Sequence, residues 1–375
     1  MNDVALLRGL ARRSQRITFV GERRDFFRLV CRGALLELLT AGFYRFWLAT
    51  DIRRALWSGT AVDGHAPEYT GTAKELLIGF LFALAILAPI YFLYFLIGIE
   101  AERAKAFASI PLVLFFYAFG QFAIFRARRY RATRTVWRGV RFWMSGSGWA
   151  YSWRACLWGI LTLLTLGLAL PWRQSALERY KMRHLHYGDL PARFDATGWG
   201  LFKQTWWLWL LSLLVVTLPW TYPAYKAVQW RWWILGIRFG EVRFESDLRT
   251  RGLMGLYWRV IGWITLLVIA DVILIVIVTT AVLLMGGKAA GASAMLLFLR
   301  QHSYLALGVN IANYLVLVLC FGVIIRLYLM RGVWERVVSS TTAHNLEQAD
   351  DVRVAGAPAS ALGEGFADSL DVAGF

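Results

Sequence analysis

One carboxylate lies in the middle of an otherwise apolar stretch of the chain. Asp271 stands between Ala270 and Val272, in a run of branched aliphatic residues. A charge inside a membrane is costly, so such a residue is a candidate functional group. One hypothesis is that Asp271 faces a polar cavity and handles a proton or a cation. The alternative is that it bonds to a neighbouring arginine or amide, with Asn310 and Asn313 as candidates, and stabilises helix packing.

Two further features are weaker candidates for chemistry. Glu37 interrupts a leucine-rich stretch, and pairing with Arg32 or Arg45 is the simpler account of its charge. His184 and His186 are two positions apart on a basic segment, which places them on different faces of a helix. No group of carboxylates or cysteines accompanies them, so the spacing favours a solvated interface over a metal site.

Arginines beside aromatic residues form the most frequent polar pattern. A stretch such as Trp230–Trp233 could stack on nucleic acid bases. Next to apolar segments, anchoring at the headgroup level with arginine on lipid phosphates is the better interpretation. We therefore expect anionic lipid headgroups, and no nucleic acid, as partners. The predicted phosphate contacts are Arg53, Arg54, Arg128, Arg129, Arg179, Arg183 and Arg231.

Signatures of known catalytic sites are missing from the sequence. It contains no phosphate-binding G-x-x-x-x-G-K-[ST], no H-E-x-x-H and no G-x-S-x-G. The three cysteines, Cys31, Cys156 and Cys320, lie in apolar stretches without a C-x-x-C pair, which is typical of buried packing residues. The sequence thus predicts a protein that is not an enzyme, with no catalytic residues, metal or cofactor.

The composition indicates which elements must position these residues. Of 375 residues, 58% are hydrophobic and 17% charged, with 19 Trp and a net charge of +17. A soluble domain is usually about half apolar and about a quarter charged, so a bilayer is the natural solvent for this chain. We predict an all-α multi-pass membrane protein with about four to seven spans. Its apolar segments are Phe26–Trp47, Glu75–Gly98, Ala108–Phe125, Trp153–Trp172, Leu201–Tyr222, Trp258–Met285 and Tyr304–Leu327.

The chain contains internal repeats. A shift of 125 positions places the first apolar segment on the fourth, where Cys31 meets Cys156, Gly42 meets Gly167 and Trp47 meets Trp172. A second recurring element is a basic helix followed by Gly and an Arg-Phe piece, which predicts small cytoplasmic β-hairpins. Because one hairpin is marginal alone, pairing of the copies into a small sheet is favoured. These pieces follow Gly64, Gly139, Gly188 and Gly240.

Lysine and arginine counts leave two topologies open. If all seven segments cross, the two sides carry 19 and 16 basic residues, which is almost no bias. If the first, fourth and fifth segments enter and return, the counts become 31 and 4. Gly42, Gly167, Pro219 and Pro223 are positions where those segments could break. The predicted divisions are a basic arm 1–15, repeats 16–125 and 126–257, a transmembrane hairpin 258–338 and a disordered acidic tail 339–375.

Three stretches, Phe26–Gly71, Val136–Arg154 and Arg238–Tyr257, resemble the repeats of the YjgN family of bacterial inner-membrane proteins. The resemblance implies an inner-membrane location, an unknown function and no assigned catalytic residues. It also implies a possible membrane partner such as a metallopeptidase, because genes of this family often neighbour one. Two departures are the turn Arg45–Leu48, where the family has a Ser-Pro-Trp-Ala type turn, and an extra apolar stretch between Trp263 and Cys320.

The leading functional hypothesis is a scaffold or accessory protein. Its basic cytoplasmic face would bind anionic lipid or a membrane partner. The alternative is a transporter or channel with a polar site near Asp271, since many transporters are built from repeats and broken helices.

Overall fold

A computed structural model describes residues 14–100, 105–285, 303–356 and 368. Helices account for most of the described chain, and short strands lie between them. The helices are α1 Arg23–Leu39, α2 Arg45–Ser58, α3 Ala73–Glu100, α4 Lys105–Thr133, α5 Gly148–Leu164, α6 Leu170–Arg183, α7 Gly198–Ser212, α8 Leu218–Gly236, α9 Thr250–Met285, α10 Ser303–Ile324 and α11 Gly332–Ser339, with a π-helical turn at Ile325–Arg331. The strands are β1 Ser14–Arg16, β2 Thr18–Phe19, β3 Thr60–Ala61, β4 Glu68–Tyr69, β5 Thr135–Trp137, β6 Val140–Met144, β7 Leu185–Tyr187, β8 Leu190–Phe194, β9 Ile237–Phe239, β10 Val242–Ser246 and β11 Thr341–His344.

Two helix pairs repeat each other closely. Every boundary of the pair α1–α2 recurs 125 residues later in α5–α6. Both pairs turn through two consecutive left-handed residues, Ala41-Gly42 in the first and Leu166-Gly167 in the second, with φ between 50° and 90°. This conformation ends a helix and is cheap only for glycine. The helix boundaries and the turn conformation therefore repeat with the same 125-residue spacing as the sequence.

The fifth apolar segment, which is the last of the three predicted to break, has a different turn. Helix α7 begins after Thr197, whose hydroxyl accepts a hydrogen bond from the Gly200 N–H at 3.2 Å, and ends at Ser212. A 3₁₀ turn follows, and α8 starts with Pro219 in its first turn, where a missing N–H costs nothing. Pro223 lies inside α8, so it is not the breaking position. All three segments predicted as breakable are thus pairs of short helices.

Three helices in the described ranges are long and apolar enough to cross a membrane, at Ala73–Phe95, Thr250–Val278 and Leu307–Ser339. Helix α4 has a comparable length of 29 residues. Most side chains of Ala73–Phe95 and of Thr250–Val278 are exposed, which suits a lipid environment. The predicted number of four to seven spans is not confirmed by these three candidates.

The predicted hairpins pair with one another, but they form a large sheet instead of a small one, so the description of the fold as all-α is wrong. Within the described residues, nine strands pair antiparallel in the order β1-β11-β10-β9-β8-β7-β6-β5-β4. Each hairpin bonds to the next: Phe142 of β6 lies opposite Tyr187 of β7, and Arg193 of β8 opposite Arg238 of β9. Pairing between hairpins satisfies edges that each would expose alone.

The acidic tail predicted over 339–375 starts too early. Strand β11 lies between β1 and β10, with Ala343 opposite both Gln15 and Phe244. Ala343 is fully buried, and a 3₁₀ turn at Leu346–Ala349 then covers the sheet core. The described chain therefore continues in contact with the sheet beyond residue 339. Residues 357–367 and 369–375 lie outside the described residues, as does most of the predicted arm 1–15.

The turn glycine Gly42 offers a direct test of the helix break. A Cβ at this position meets no atom within 4 Å, so Gly42→Ala changes only the cost of its left-handed φ of 89°. We expect a loss of about 1–2 kcal/mol in unfolding free energy, measured by denaturation in detergent. The matched control is Gly255→Ala in α9, also without contacts, which should gain about 0.5–1 kcal/mol. Equal unfolding free energies for the two variants would contradict a left-handed turn at Gly42.

Candidate functional site

Several arginines predicted to contact lipid phosphates are engaged within the protein. Arg53 is buried, Arg231 donates to the Leu248 carbonyl at 2.7 Å, and Arg128 pairs with Glu178 at 3.2 Å. Arg129 donates to the Gly146 carbonyl at 3.4 Å. These guanidinium groups bond to protein partners, so their first role is to hold helices and hairpins together.

A second group of arginines lies on the surface around a groove of about 660 Å³. Arg179 and Arg183 reach it from the last turns of α6, and Arg193 reaches it from β8. All three are exposed. The acidic residue in the groove, Asp195, pairs with Arg238 at 2.8 Å. The groove therefore carries an excess of positive charge.

Two further arginines need separate comment. Arg193 lines the groove and is a residue that the sequence reasoning missed, because its Arg-Phe piece indicated only a strand. Arg54 is exposed as well, but it donates to the Gly71 carbonyl at 3.0 Å and is not among the residues that line the groove.

A largely buried ion cluster lies on α6, the helix that carries two of the groove arginines. Glu178 contacts Lys181 one turn further along the helix and Arg128 from α4. Burial would raise the pKa of Glu178, but Lys181 and Arg128 lower it to about 2. Burial also lowers the pKa of Lys181 to about 8, against the opposing effect of Glu178. The i,i+3 spacing of Glu178 and Lys181 is a signal for this pair that the sequence does contain.

A second buried ion cluster lies on α2. Arg53 donates from Nη2 to Asp368 Oδ1 at 3.1 Å and from Nη1 to the Tyr69 hydroxyl at 3.2 Å. Arg131 Nε lies 3.5 Å from the same carboxylate. Asp368 is almost completely buried, with 2% of its side chain exposed. Burial alone lowers the pKa of Arg53, but Asp368 and Tyr69 outweigh it and raise that pKa above its ordinary value.

A cavity of about 380 Å³ adjoins this cluster. Its wall includes Arg53 and Asp368 together with Arg45, and a second ion pair joins Glu37 to Arg326 at 2.8 Å. The predicted pairing of Glu37 with Arg32 or Arg45 is therefore wrong. Arg326 lies in the π-helical turn after α10, and nothing near Glu37 in the sequence points to it.

Asp271 is held by one of the predicted amides. The Asn313 side chain donates to Asp271 Oδ1 at 2.8 Å and joins α9 to α10, while Asn310 lies one turn earlier on α10. This is the bond expected if Asp271 stabilises helix packing, and a role in transport stays a prediction.

The two histidines lie in different surroundings from those of a metal site. His186 stacks on Trp143 with ring centroids 4.2 Å apart, and His184 packs against the Tyr180 ring at 4.5 Å. Of the described residues, no three His, Cys, Asp or Glu side chains lie close enough together to hold a metal ion.

One family model matches the chain twice, over two overlapping stretches. Residues 14–221 and, again, residues 193–356 match the family described as "Bacterial protein of unknown function (DUF898)". The chain belongs to this family. It is the YjgN family that the three stretches above resemble, and the double match covers nearly all of the described chain. No curated protein and no solved structure matches the chain.

The largely buried Glu178 predicts a distinctive acid sensitivity. Because its pKa in the fold is about 2, below an ordinary 4.5, its ionised form stabilises the fold above about pH 4.5. That contribution is lost as the pH falls towards 2. We expect Glu178→Gln to cost about 3 kcal/mol at neutral pH and to lose less stability than wild type between pH 5 and 3, measured by unfolding in detergent.

The matched control for this experiment is Glu68→Gln, at an exposed strand position. It should follow the wild-type dependence on pH. If Glu178→Gln also follows the wild-type curve, the ion cluster on α6 does not stabilise the protein.

Proposed function

We propose that the protein is a non-enzymatic scaffold of the bacterial inner membrane, with a basic cytoplasmic face that binds anionic lipid headgroups. Two hairpins of long helices cross the bilayer, and three pairs of short helices enter its cytoplasmic half and return. The observation that carries this proposal is the continuous sheet, because its strands lie between these elements along the chain.

The sheet supports a single location for all the loops that contribute strands. A hydrogen-bonded sheet cannot continue through a bilayer whose other elements are helices, because lipid leaves open strand edges unsatisfied. The chain leaves the sheet at Tyr69 and re-enters at Thr135, so α3 and α4 would cross as a pair. It leaves again at Ser246 and returns at Thr341, so α9 and α10 would form the second pair. This arrangement is the one with 31 basic residues on one side and 4 on the other.

The tips of the short helix pairs favour insertion into the apolar layer. Leu163, Leu164 and Leu166 at the α5–α6 tip are each at least 75% exposed, and Val215 and Val216 at the α7–α8 tip at least 73%. Such a concentration of exposed aliphatic side chains would be unfavourable in water. In the acyl layer of the membrane, lipid chains would surround these side chains, so no protein partner is needed to cover them.

The lengths of these helices support a position of the arginines at the headgroup level. With a rise of about 1.5 Å per residue, Arg179 and Arg183 lie about 14 and 20 Å along α6 from Leu170 at the tip. Half of the hydrocarbon core is about 15 Å thick. A tip near the bilayer centre would thus bring the arginine groove to the phosphates. Exposed Trp149 and Trp199, at the starts of α5 and α7, fit the same interface.

Cysteine labelling tests the topology. In a background with Cys31, Cys156 and Cys320 replaced by serine, single cysteines are placed at exposed Ser58 and Asp189. We expect a membrane-impermeant maleimide to label both from the cytoplasmic face only, since the end of α2 and the β7–β8 turn attach to strands on one side of the bilayer. Labelling from opposite faces would show that the fourth segment crosses the membrane and does not return.

Lipid retention tests the role of the groove. We expect Arg179→Gln, Arg183→Gln and Arg193→Gln together to weaken binding of phosphatidylglycerol by up to about 100-fold at low salt, because each basic residue near an anionic surface contributes about 1 kcal/mol. Native mass spectrometry of the detergent-solubilised protein measures the bound lipid, with phosphatidylcholine as the uncharged comparison.

A matched pair of single variants controls for total charge. Arg193→Gln lies in the groove, while Arg243→Gln removes an exposed strand arginine outside it. Only the first should reduce retention. Equal effects would mean that net charge, not the groove, attracts the lipid. A membrane protein partner, such as the metallopeptidase suggested by the family resemblance, is a further proposal for the same basic face.

A further inference from the structure

The Arg53 cluster has a feature that the basic face does not share. Its carboxylate, Asp368, comes from a position far along the chain, whereas Arg53 and Arg131 lie on α2 and α4. Both arginine side chains are largely buried, with 8% and 13% of their surface exposed. The two arginines therefore form a preorganised receptor, and a carboxylate from elsewhere in the chain occupies it.

A second carboxylate near the cluster, that of Glu75, cannot take over the role of Asp368 as the counter-ion of Arg53. Glu75 is bidentate with Arg134, at 3.0 Å for both contacts, and accepts a hydrogen bond from the Tyr130 hydroxyl at 2.7 Å. Its charge is thus committed to a third arginine. Without Asp368, Arg53 would lose the carboxylate that neutralises its buried charge, and such a loss is strongly unfavourable. An anion at this position is therefore favoured.

The geometry also fits an anion other than a carboxylate. Arg53 donates twice to one carboxylate, the Arg131 guanidinium adds a positive charge with Nε 3.5 Å from it, and the Tyr69 hydroxyl lies beside them. Converging guanidinium donors are the usual way in which proteins hold phosphate as well as carboxylate. The adjoining cavity of about 380 Å³ provides room beside Asp368, and Gly322 of α10 forms part of its wall.

We propose that Arg53 and Arg131, with Tyr69, form an oxyanion-binding site for a phosphate group, and that Asp368 competes for it from within the same chain. The proposal does not depend on lipid binding in the Arg179 groove. The phosphate could belong to a lipid headgroup or to a soluble anion, since both present the same oxygens to the two arginines.

Removal of the internal competitor tests the site in the full-length protein. We expect Asp368→Asn to bind inorganic phosphate at least about tenfold more tightly than wild type, because the site is then no longer occupied by its own carboxylate. Asp368→Ala, which also removes volume, should behave alike. The double variant Arg53→Gln/Asp368→Asn should lose binding. Thermal shift against phosphate concentration, in phosphate-free buffer with detergent, measures the affinity.

A surface carboxylate provides the matched control. Asp350 pairs with Arg138 and is 46% exposed, so Asp350→Asn should leave phosphate binding at the wild-type level. A parallel titration with phosphatidylglycerol identifies the source of the phosphate. Binding of inorganic phosphate points to a soluble anion, and binding of the lipid alone points to a headgroup; either supports the site.

Two results would overturn the proposal. The first is that both Asp368 variants bind inorganic phosphate and phosphatidylglycerol no more tightly than wild type, which would make Arg53–Asp368 a structural ion pair only. The second concerns variants that fail to fold in phosphate-free buffer. Recovery of folded protein on addition of phosphate would support the site, and no recovery with either ligand would refute it.

Discussion

Backbone hydrogen bonds between successive hairpins connect parts of the chain that lie far apart in the sequence. Each hairpin follows a basic helix and pairs with the next hairpin, and β11 lies between β10 and β1. Because the sheet is continuous, the elements between its strands must leave it and return to it. Between strands, the apolar part of the chain therefore has one of two forms. Either two apolar segments form a pair of long helices, or one segment breaks into a pair of short helices. The continuity of the sheet also brings the basic helices together beside it.

Part of the large positive charge is neutralised where those helices pack together. Some arginines neutralise carboxylates inside the fold, as Arg134 does with Glu75 and Arg128 with Glu178. Others, such as Arg183, lie at the surface. A net charge of +17 therefore does not translate into a uniform attraction for anions. The attraction for anions is strongest where exposed arginines lie close together. These exposed arginines are the ones that could select a ligand.

Local signals in the sequence are sufficient to predict the turns but not the long-range partners. Gly42 and Gly167 mark breaks because the required φ is positive, a property that the residue itself supplies. The hairpins are visible for the same reason. Strand β11 is not, because four residues of mixed polarity become a strand only between two partner edges. Adjacent Arg53 and Arg54 look alike in the sequence, yet one is buried and the other exposed, since the helix turns about 100° between them.

The second helix of each pair shows how the helix pairs differ at one charged or polar position. Aligning the starts of α2, α6 and α8 places Arg53, Glu178 and Lys226 at corresponding sites. Glu178 finds its counter-charge on its own helix and on α4, and Lys226 bonds to Gln229 at 3.0 Å on its own helix. Arg53 instead pairs with Asp368, which lies 315 positions further along the chain. The charge at this position is thus partnered on its own helix in two copies, with Arg128 of α4 added in one of them, and by a distant residue in the third. Of these partners, Asp368 is the one that lies outside helices α2, α4, α6 and α8, as the proposed exchange with phosphate requires.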